Sequence, residues 1–189
     1  MSGAAPGESE RRKADLAQAR RCAAGDPLAQ RALYDAHIDR VERLVGGMIG
    51  GGADLADVVQ DVFFRVFRSI GRFRGDSELG TWISRITVNE VRRRRRGLFR
   101  FLRFGRALAS EPARTSSLDT SGVALRDAER ILSVLSQEER EIFVLVHRAD
   151  LSLREAAQIL DRPVSTLHAR LARASDKVSA EIAKEGARV

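Results

Sequence analysis

The side chains best equipped for chemistry in this 189-residue chain are arginines. Nine of the residues from Arg85 to Arg106 are Arg, and only Glu90 among them is acidic. The whole chain carries 33 Lys+Arg against 26 Asp+Glu, a formal net charge of +7, so this +8 window accounts for the entire excess. A focused patch of this kind attracts a polyanion far better than dispersed charge does. Trp82, Arg85, Asn89 and the run Arg92 to Arg96 share the stretch. Aromatic rings and guanidinium planes stack on unpaired bases, and Asn reads a base edge. Plainer readings stand beside this one: Trp82 as core, Asn89 as a solvated helical residue, and the Arg run as a solvated tail or a contact for an acidic protein.

Catalytic chemistry is poorly supported. No nucleophile–base–orienter set stands out, and no HExxH or CxxC occurs. One cysteine, Cys22, excludes an internal disulfide, and with three scattered His it offers no metal set. No catalytic residue, metal or cofactor is therefore expected. Glycines 46, 47, 50, 51 and 52 suggest a phosphate cradle, but no strand precedes them and no GK[ST] follows. Carboxylates sit at helical salt-bridge spacing, as with Glu138 and Glu139 near Arg140.

The elements that must position the arginines are all helical. Asp26-Pro27 starts a helix, with Asp as N-cap and Pro at the first position. Tyr34, Ile38, Val41, Val45 and Met48 follow its apolar face, and the glycines at 46–52 are expected to end it. Asp54 can cap a second helix with a buried stripe of Leu55, Val59, Val62, Phe63, Val66, Phe67 and Ile70. Its polar face shows Asp57, Gln60, Asp61, Phe64 and Arg68. An aromatic on such a face suggests a partner surface with an apolar anchor and a charged rim, or else a ring covered by the preceding helix. After a loop from Gly71 to Glu78, a third helix is predicted from about Leu79 to Arg96, burying Trp82, Ile83 and Ile86.

Periodicity fades between Gly97 and Ser121, which predicts a linker that opens with the Phe/Arg segment 98–106. Beyond it, Leu125, Ile131, Leu132 and Leu135 mark a helix. Ser136 with Glu139, and Ser152 with Glu155, are capping boxes for two more. Asp161-Arg162-Pro163 then turns the chain into a last helix carrying Val164, Leu167, Leu171, Ala174 and Val178. A short helix, a tight turn and a longer helix make a helix-turn-helix. The outward residues of its second helix are Ser165, Thr166, His168, Ala169, Ala172 and Arg173, with Arg170 to one side. They can face a DNA major groove, or the hairpin can bind protein. Residues 117–189 carry 11 basic and 12 acidic side chains, so duplex binding by this unit alone is expected to be weak.

The expected organisation is an N-terminal segment at 1–23, a helical domain at 24–96, a linker at 97–124, a helix-turn-helix domain at 125–184 and a tail at 185–189. No stretch reaches the roughly 18 apolar residues of a membrane span, and the N-terminus has no apolar signal region. The expected compartment is the cytoplasm.

The string DLADVVQDVFFRVFRSIGRFRGDSELGTWISRITVNEVRRR (54–94) resembles region 2 of the extracytoplasmic-function, or group 4, sigma factors of the sigma-70 family. The string LSVLSQEEREIFVLVHRADLSLREAAQILDRPVSTLHARLARASDKV (132–178) resembles their region 4. The resemblance implies a bacterial promoter-specificity subunit that binds core RNA polymerase and is a monomer when free. It implies that Asp57, Gln60, Asp61, Phe64 and Arg68 meet the polymerase. It further implies that Arg74, Asp76, Ser77, Trp82, Arg85, Asn89, Arg92 and Arg93 hold the melted −10 element. Ser165, Thr166, His168, Ala169, Arg170, Ala172 and Arg173 would meet the −35 element. An anti-sigma partner is implied as well. The sequence departs from the family's habit at Ser165, His168, Asp161 and Gly80. Two other classes remain as alternatives at this point. One is a stand-alone helix-turn-helix regulator, disfavoured by the lack of a dimerisation heptad. The other is an Arg-rich RNA-binding protein using residues 85–106.

Overall fold

The computed structural model describes residues 6–49, 55–105 and 131–186, and every regular element among them is helical. These elements are α1 (Pro6–Ala23), α2 (Pro27–Ile49), α3 (Leu55–Ser69), a 3-10 turn (Ile70–Arg72), α4 (Leu79–Gly105), α5 (Gln137–His147), α6 (Leu153–Leu160) and α7 (Val164–Gly186). None of the helices in this described part is long and apolar enough to cross a membrane.

Helix α2 starts where the Asp26-Pro27 pair predicts. Asp26 Oδ1 accepts from the N–H groups of Leu28 and Ala29 at 3.0 and 3.2 Å, which satisfies donors the first turn cannot. The Arg21 side chain donates to the same carboxylate and, with the capping bonds, holds its pKa below the ordinary value. Helices α2, α3 and α4 then bury a mainly aliphatic core that includes Leu33, Leu44, Val58, Val62, Val66 and Val88. Tyr34 and Phe63 close it with ring centroids 4.5 Å apart. The α3 stripe is buried much as its spacing predicts, with Leu55 and Phe67 only half-buried.

Helix α2 ends at Ile49, within the run of glycines at 46–52 expected to end it, with Gly46 and Gly47 accommodated in its last turn. Two expectations need correction. Helix α4 does not stop at Arg96 but runs on to Gly105, through the first part of the expected linker. The segment set apart as 1–23 contains α1, and Ala19 and Cys22 of that helix are buried in the core. Burial pushes the Cys22 thiol pKa up, which suits an inert packing residue. Asp54, Leu125 and most of the linker lie outside the described residues.

The C-terminal unit is built on its caps. Ser136 and Glu139 form one reciprocal capping box, and Ser152 and Glu155 form another. Ala156 and Ala157 are buried where α6 meets its neighbours, and Asp161 ends α6 at φ +54°, in the left-handed region. Leu167, Ala174 and Val178 of α7 point inward. Glu138 and Glu139 do not pair with Arg140, as sequence spacing suggests. Glu138 meets Arg170 and Glu139 meets Lys177, so both tie α5 to α7, while Arg140 donates to the carbonyl of Leu132.

The Lys177 ammonium, aided by the Ser136 N–H and hydroxyl, lowers the Glu139 pKa from 4.5 to about 2. A depressed carboxylate stabilises the fold above its unfolded pKa, and this is lost as pH falls through its folded pKa. Glu139 therefore contributes fully above about pH 4.5 and progressively less toward about pH 2. The variant Glu139→Gln is expected to lower the melting temperature at pH 7 and to flatten its decline across that window. Thermal melts followed by circular dichroism from pH 7 to 2 check both.

Candidate nucleic-acid and partner interfaces

Helix α4 presents two working faces. Along one, Asn89, Arg93 and Arg96 line a groove of about 810 Å³ shared with Asp61, Phe64 and Arg68 of α3. Glu90, only 1% exposed, lies beneath it and pairs with both Arg65 and Arg93. A buried carboxylate needs such partners, since an unpaired one is strongly disfavoured. Arg94 approaches Asp61 at 3.7 Å. The arginine run is thus partly neutralised from below, while Arg93 and Arg96 still edge the groove.

Asp57, Gln60, Asp61, Phe64 and Arg68 share one face of α3, as spacings of three and four dictate. Phe64 is 59% exposed, which excludes the reading in which α2 covers it. The Arg68 guanidinium lies 5.5 Å from the Phe64 ring centroid. An exposed ring steadied by a cation and rimmed by carboxylates has the make-up of an interface anchor.

The loop between α3 and α4 is held from outside. Arg74 and Asp76 are exposed and Ser77 is half-buried. Gly75 turns the chain at φ +73°, and a Cβ there would lie 3.2 Å from the Leu16 side chain of α1. Asp15, also on α1, accepts from the Leu79 N–H at 2.8 Å and so caps α4. Phe73 meets Trp82 edge-on with centroids 5.7 Å apart, and Trp82 remains half-buried rather than sealed in the core. Sequence reasoning missed Asp15 and Leu16. The available signal was the three-residue spacing of Leu16, Ala19 and Cys22, an apolar stripe in an otherwise polar stretch.

On α7, Ser165, His168, Ala169, Ala172 and Arg173 are exposed along one face. Thr166 and Arg170 are half-buried, and Arg170 is occupied by Glu138. Arg173 folds back to donate to the Ala169 carbonyl at 3.3 Å.

The second face of α4 meets the C-terminal helices. Thr81 Oγ1 donates to Glu155 Oε1 at 2.8 Å, Arg85 donates to the Gln158 carbonyl, and Arg92 forks onto Glu141 with contacts of 2.6 to 3.2 Å. Burial pushes the Glu155 pKa up, but the Ser152 hydroxyl and N–H, the Thr81 hydroxyl and the Arg40 charge outweigh it, leaving a net downward shift. The structure therefore brings Asp61, Phe64, Arg68, Asn89 and Arg93 to one groove. It turns Arg85 and Arg92 away to the other face and leaves the α7 residues as a separate surface.

One basic helical unit and one of nearly balanced charge, the second ending in a helix-turn-helix, have the make-up of a nucleic-acid-reading architecture. Residues 33–100 match the family model of sigma-70 region 2, and residues 125–178 match that of sigma-70 region 4, together well over half of the chain. The chain belongs to the sigma-70 family, among its extracytoplasmic-function sigma factors. It is 27% identical over 183 residues to the ECF RNA polymerase sigma-E factor of Escherichia coli (strain K12), covering 84% of this chain and 88% of that one. It is 29% identical over 186 residues to the protein of the same name from Haemophilus influenzae, covering 89% and 95%. The solved structure of CnrH in complex with the cytosolic domain of CnrY is similar at TM-score 0.71 and 26% identity, over 90% of this chain and 98% of that one. RpoE of Bartonella quintana, solved with the anti-sigma factor NepR, shares the fold at TM-score 0.62 and 24% identity, over 74% and 88%. Family membership displaces both the stand-alone regulator and the RNA-binding alternative.

Because Asp15 caps α4 from a different helix, Asp15→Ala is expected to destabilise the N-terminal unit by about 1 kcal/mol, the usual cost of a lost cap. Asp15→Asn, which keeps an acceptor, should recover most of it. Urea unfolding with unchanged m-values is the check.

Proposed function

We propose that the chain directs RNA polymerase to promoters by a division of labour among three surfaces. The carrying observation is the exposed Phe64, set between Asp61 and Arg68 beside an arginine-lined groove. This α3 face, with Asp57 and Gln60, docks on core polymerase through an apolar anchor and a charged rim. The adjoining groove and loop hold the melted −10 strand. Asn89 offers a donor and an acceptor to a flipped base, Trp82 a stacking face, and Arg93 a phosphate contact beside Arg74, Asp76 and Ser77. Extruding a base costs a few kcal/mol, which a pocket of this kind must offset. Arg85 and Arg92 join them once they leave their intramolecular partners.

The α7 face reads the −35 element. Ala169 and Ala172 offer methyl contact, Ser165 and Thr166 serve base or phosphate, and His168, Arg170 and Arg173 supply the longer donors. The protein does no covalent chemistry of its own; the polymerase does. The domain partition follows the surfaces, with the region 2-like unit extended to include α1. CnrH and the Bartonella RpoE were each solved with a protein partner, and an anti-sigma factor covering the α3 and α4 faces fits this chain too.

Run-off transcription with bacterial core polymerase and a random promoter library tests the function. Transcripts that depend on the protein and share two spaced motifs are expected. The variant carrying Asp61→Arg and Phe64→Ala should fold normally and lose co-elution with core enzyme by at least about tenfold, since a central anchor is worth 2 kcal/mol or more. Retained co-elution would refute the docking surface.

In the same assay, Arg173→Ala should narrow the spread of activity among −35 variants, as loss of a base contact worth about 1–3 kcal/mol does. An equal drop on every variant would make Arg173 a phosphate contact instead.

A further inference from the structure

Glu90 is the one acidic residue of the arginine-rich window, and it is buried. Its two oxygens serve different helices. Oε1 accepts from Arg93 Nε at 2.8 Å and from Nη2 of the same side chain, while Oε2 pairs with Arg65 of α3. Both guanidinium-bearing side chains keep about half of their surface open, at 48% for Arg65 and 56% for Arg93. Both line the groove that Asn89 also lines. A buried carboxylate with each oxygen claimed has little freedom to drift, so it fixes where these two side chains stand.

The way Arg93 is held leaves it able to act. Arginine carries five N–H donors in one plane. Glu90 takes the Nε edge, which leaves the Nη1 donors and one on Nη2 for a second acceptor. Such an arginine can meet a phosphate without giving up its carboxylate. Arg94 and Asp61 provide a contrast. They stand 3.7 Å apart with both side chains partly exposed, so that pair fixes little. Nor does stability account for Glu90. An apolar side chain of similar volume at a buried position often does as well as an ion pair, or better. What an apolar side chain does not do is aim a guanidinium.

We infer that Glu90 is a positioning residue for strand binding: from beneath the groove it presets the Arg93 guanidinium for a backbone phosphate of the strand whose base meets Asn89. Asn89 and Arg93 lie four residues apart and so share one face of α4, one turn from each other. Glu90 itself touches no DNA. Orienting the guanidinium before the strand arrives spares the ordering cost that a free arginine pays on binding. The inference rests on the assignment of this groove to the −10 strand.

Charge alone and positioning predict opposite signs. If only charge counts, removing a carboxylate beside a phosphate site tightens binding. Glu90→Gln keeps the size of the side chain and loses the ion pairs. It is expected instead to weaken binding of a short, fluorescein-labelled single-stranded DNA of random sequence to the full-length chain. The loss, read by anisotropy at fixed salt, should be at least about threefold, as for an oriented hydrogen bond. Arg93→Ala should weaken binding by at least as much in the parent and add little in the Glu90→Gln background, because one residue acts through the other. Circular dichroism should show helix content retained. Arg93→Lys leaves Glu90 paired and the charge in place, and so tests the same point even where Glu90→Gln does not fold. It should bind nearly as weakly as Arg93→Ala, since an ammonium has no planar fork to share. Unchanged or tighter binding by Glu90→Gln, additive losses in the double variant, or parental binding by Arg93→Lys would each overturn the positioning role and leave the groove's assignment standing. Parental binding by Arg93→Ala would overturn that assignment, and the role of Glu90 with it.

Discussion

A helix that concentrates arginine must have its charge answered before it can pack. Five consecutive Arg at 92–96 place like charges on every side of α4, and like charges one turn apart oppose helix formation. Three carboxylates resolve this from different directions. Glu90 answers from within the helix, Glu141 from α5 and Asp61 from α3. Each also fixes a neighbour: Glu90 bridges to Arg65 of α3, and Glu141 ties the two units. The electrostatics of one helix therefore decide how α3 lies against it and where the C-terminal unit rests. Of the three, only Asp61 is a surface carboxylate that can release its arginine at modest cost, whereas Glu90 and Glu141 are buried and hold theirs firmly.

Neither DNA surface is strong alone. The α7 face offers two alanine methyls, two hydroxyls, one histidine and two arginines, of which Arg170 is already used by Glu138, in a unit of nearly balanced charge. The groove on α4, in the role proposed for it, acts only on an opened strand. Weak modules become selective when joined, since the second contact is made at an effective concentration set by the tether rather than by solution. A chain that needs both contacts at once discriminates promoters by geometry as well as by base edges. It also avoids idle capture of duplex DNA by either unit.

Much of this was legible in the residues because the signals were local. Asp26-Pro27, the two Ser–Glu capping boxes and the α3 stripe each specify their helix within one or two turns, and each is realised. Phe64 stood out because an aromatic on a polar face violates the pattern around it. What escaped was long-range. Asp15 caps a helix 64 residues away, and no window of sequence contains both partners. Glu138 and Glu139 invited pairing with Arg140 by spacing, but α7 brings Arg170 and Lys177 to them instead. The glycines at 46–52 do mark the end of α2 at Ile49, and Gly46 and Gly47 stay helical beside the buried Leu44, Val45 and Met48.

The caps within each unit and the contacts between the two units differ in kind. Each unit is secured by buried apolar side chains and reciprocal caps, worth several kcal/mol in sum. The contacts between the units comprise one partly buried ion pair, a few hydrogen bonds and the wholly buried Val144 seated against Gly47. Each of them needs both units at once, so whatever holds the units in another arrangement must replace what Glu141 and Val144 gain in this one.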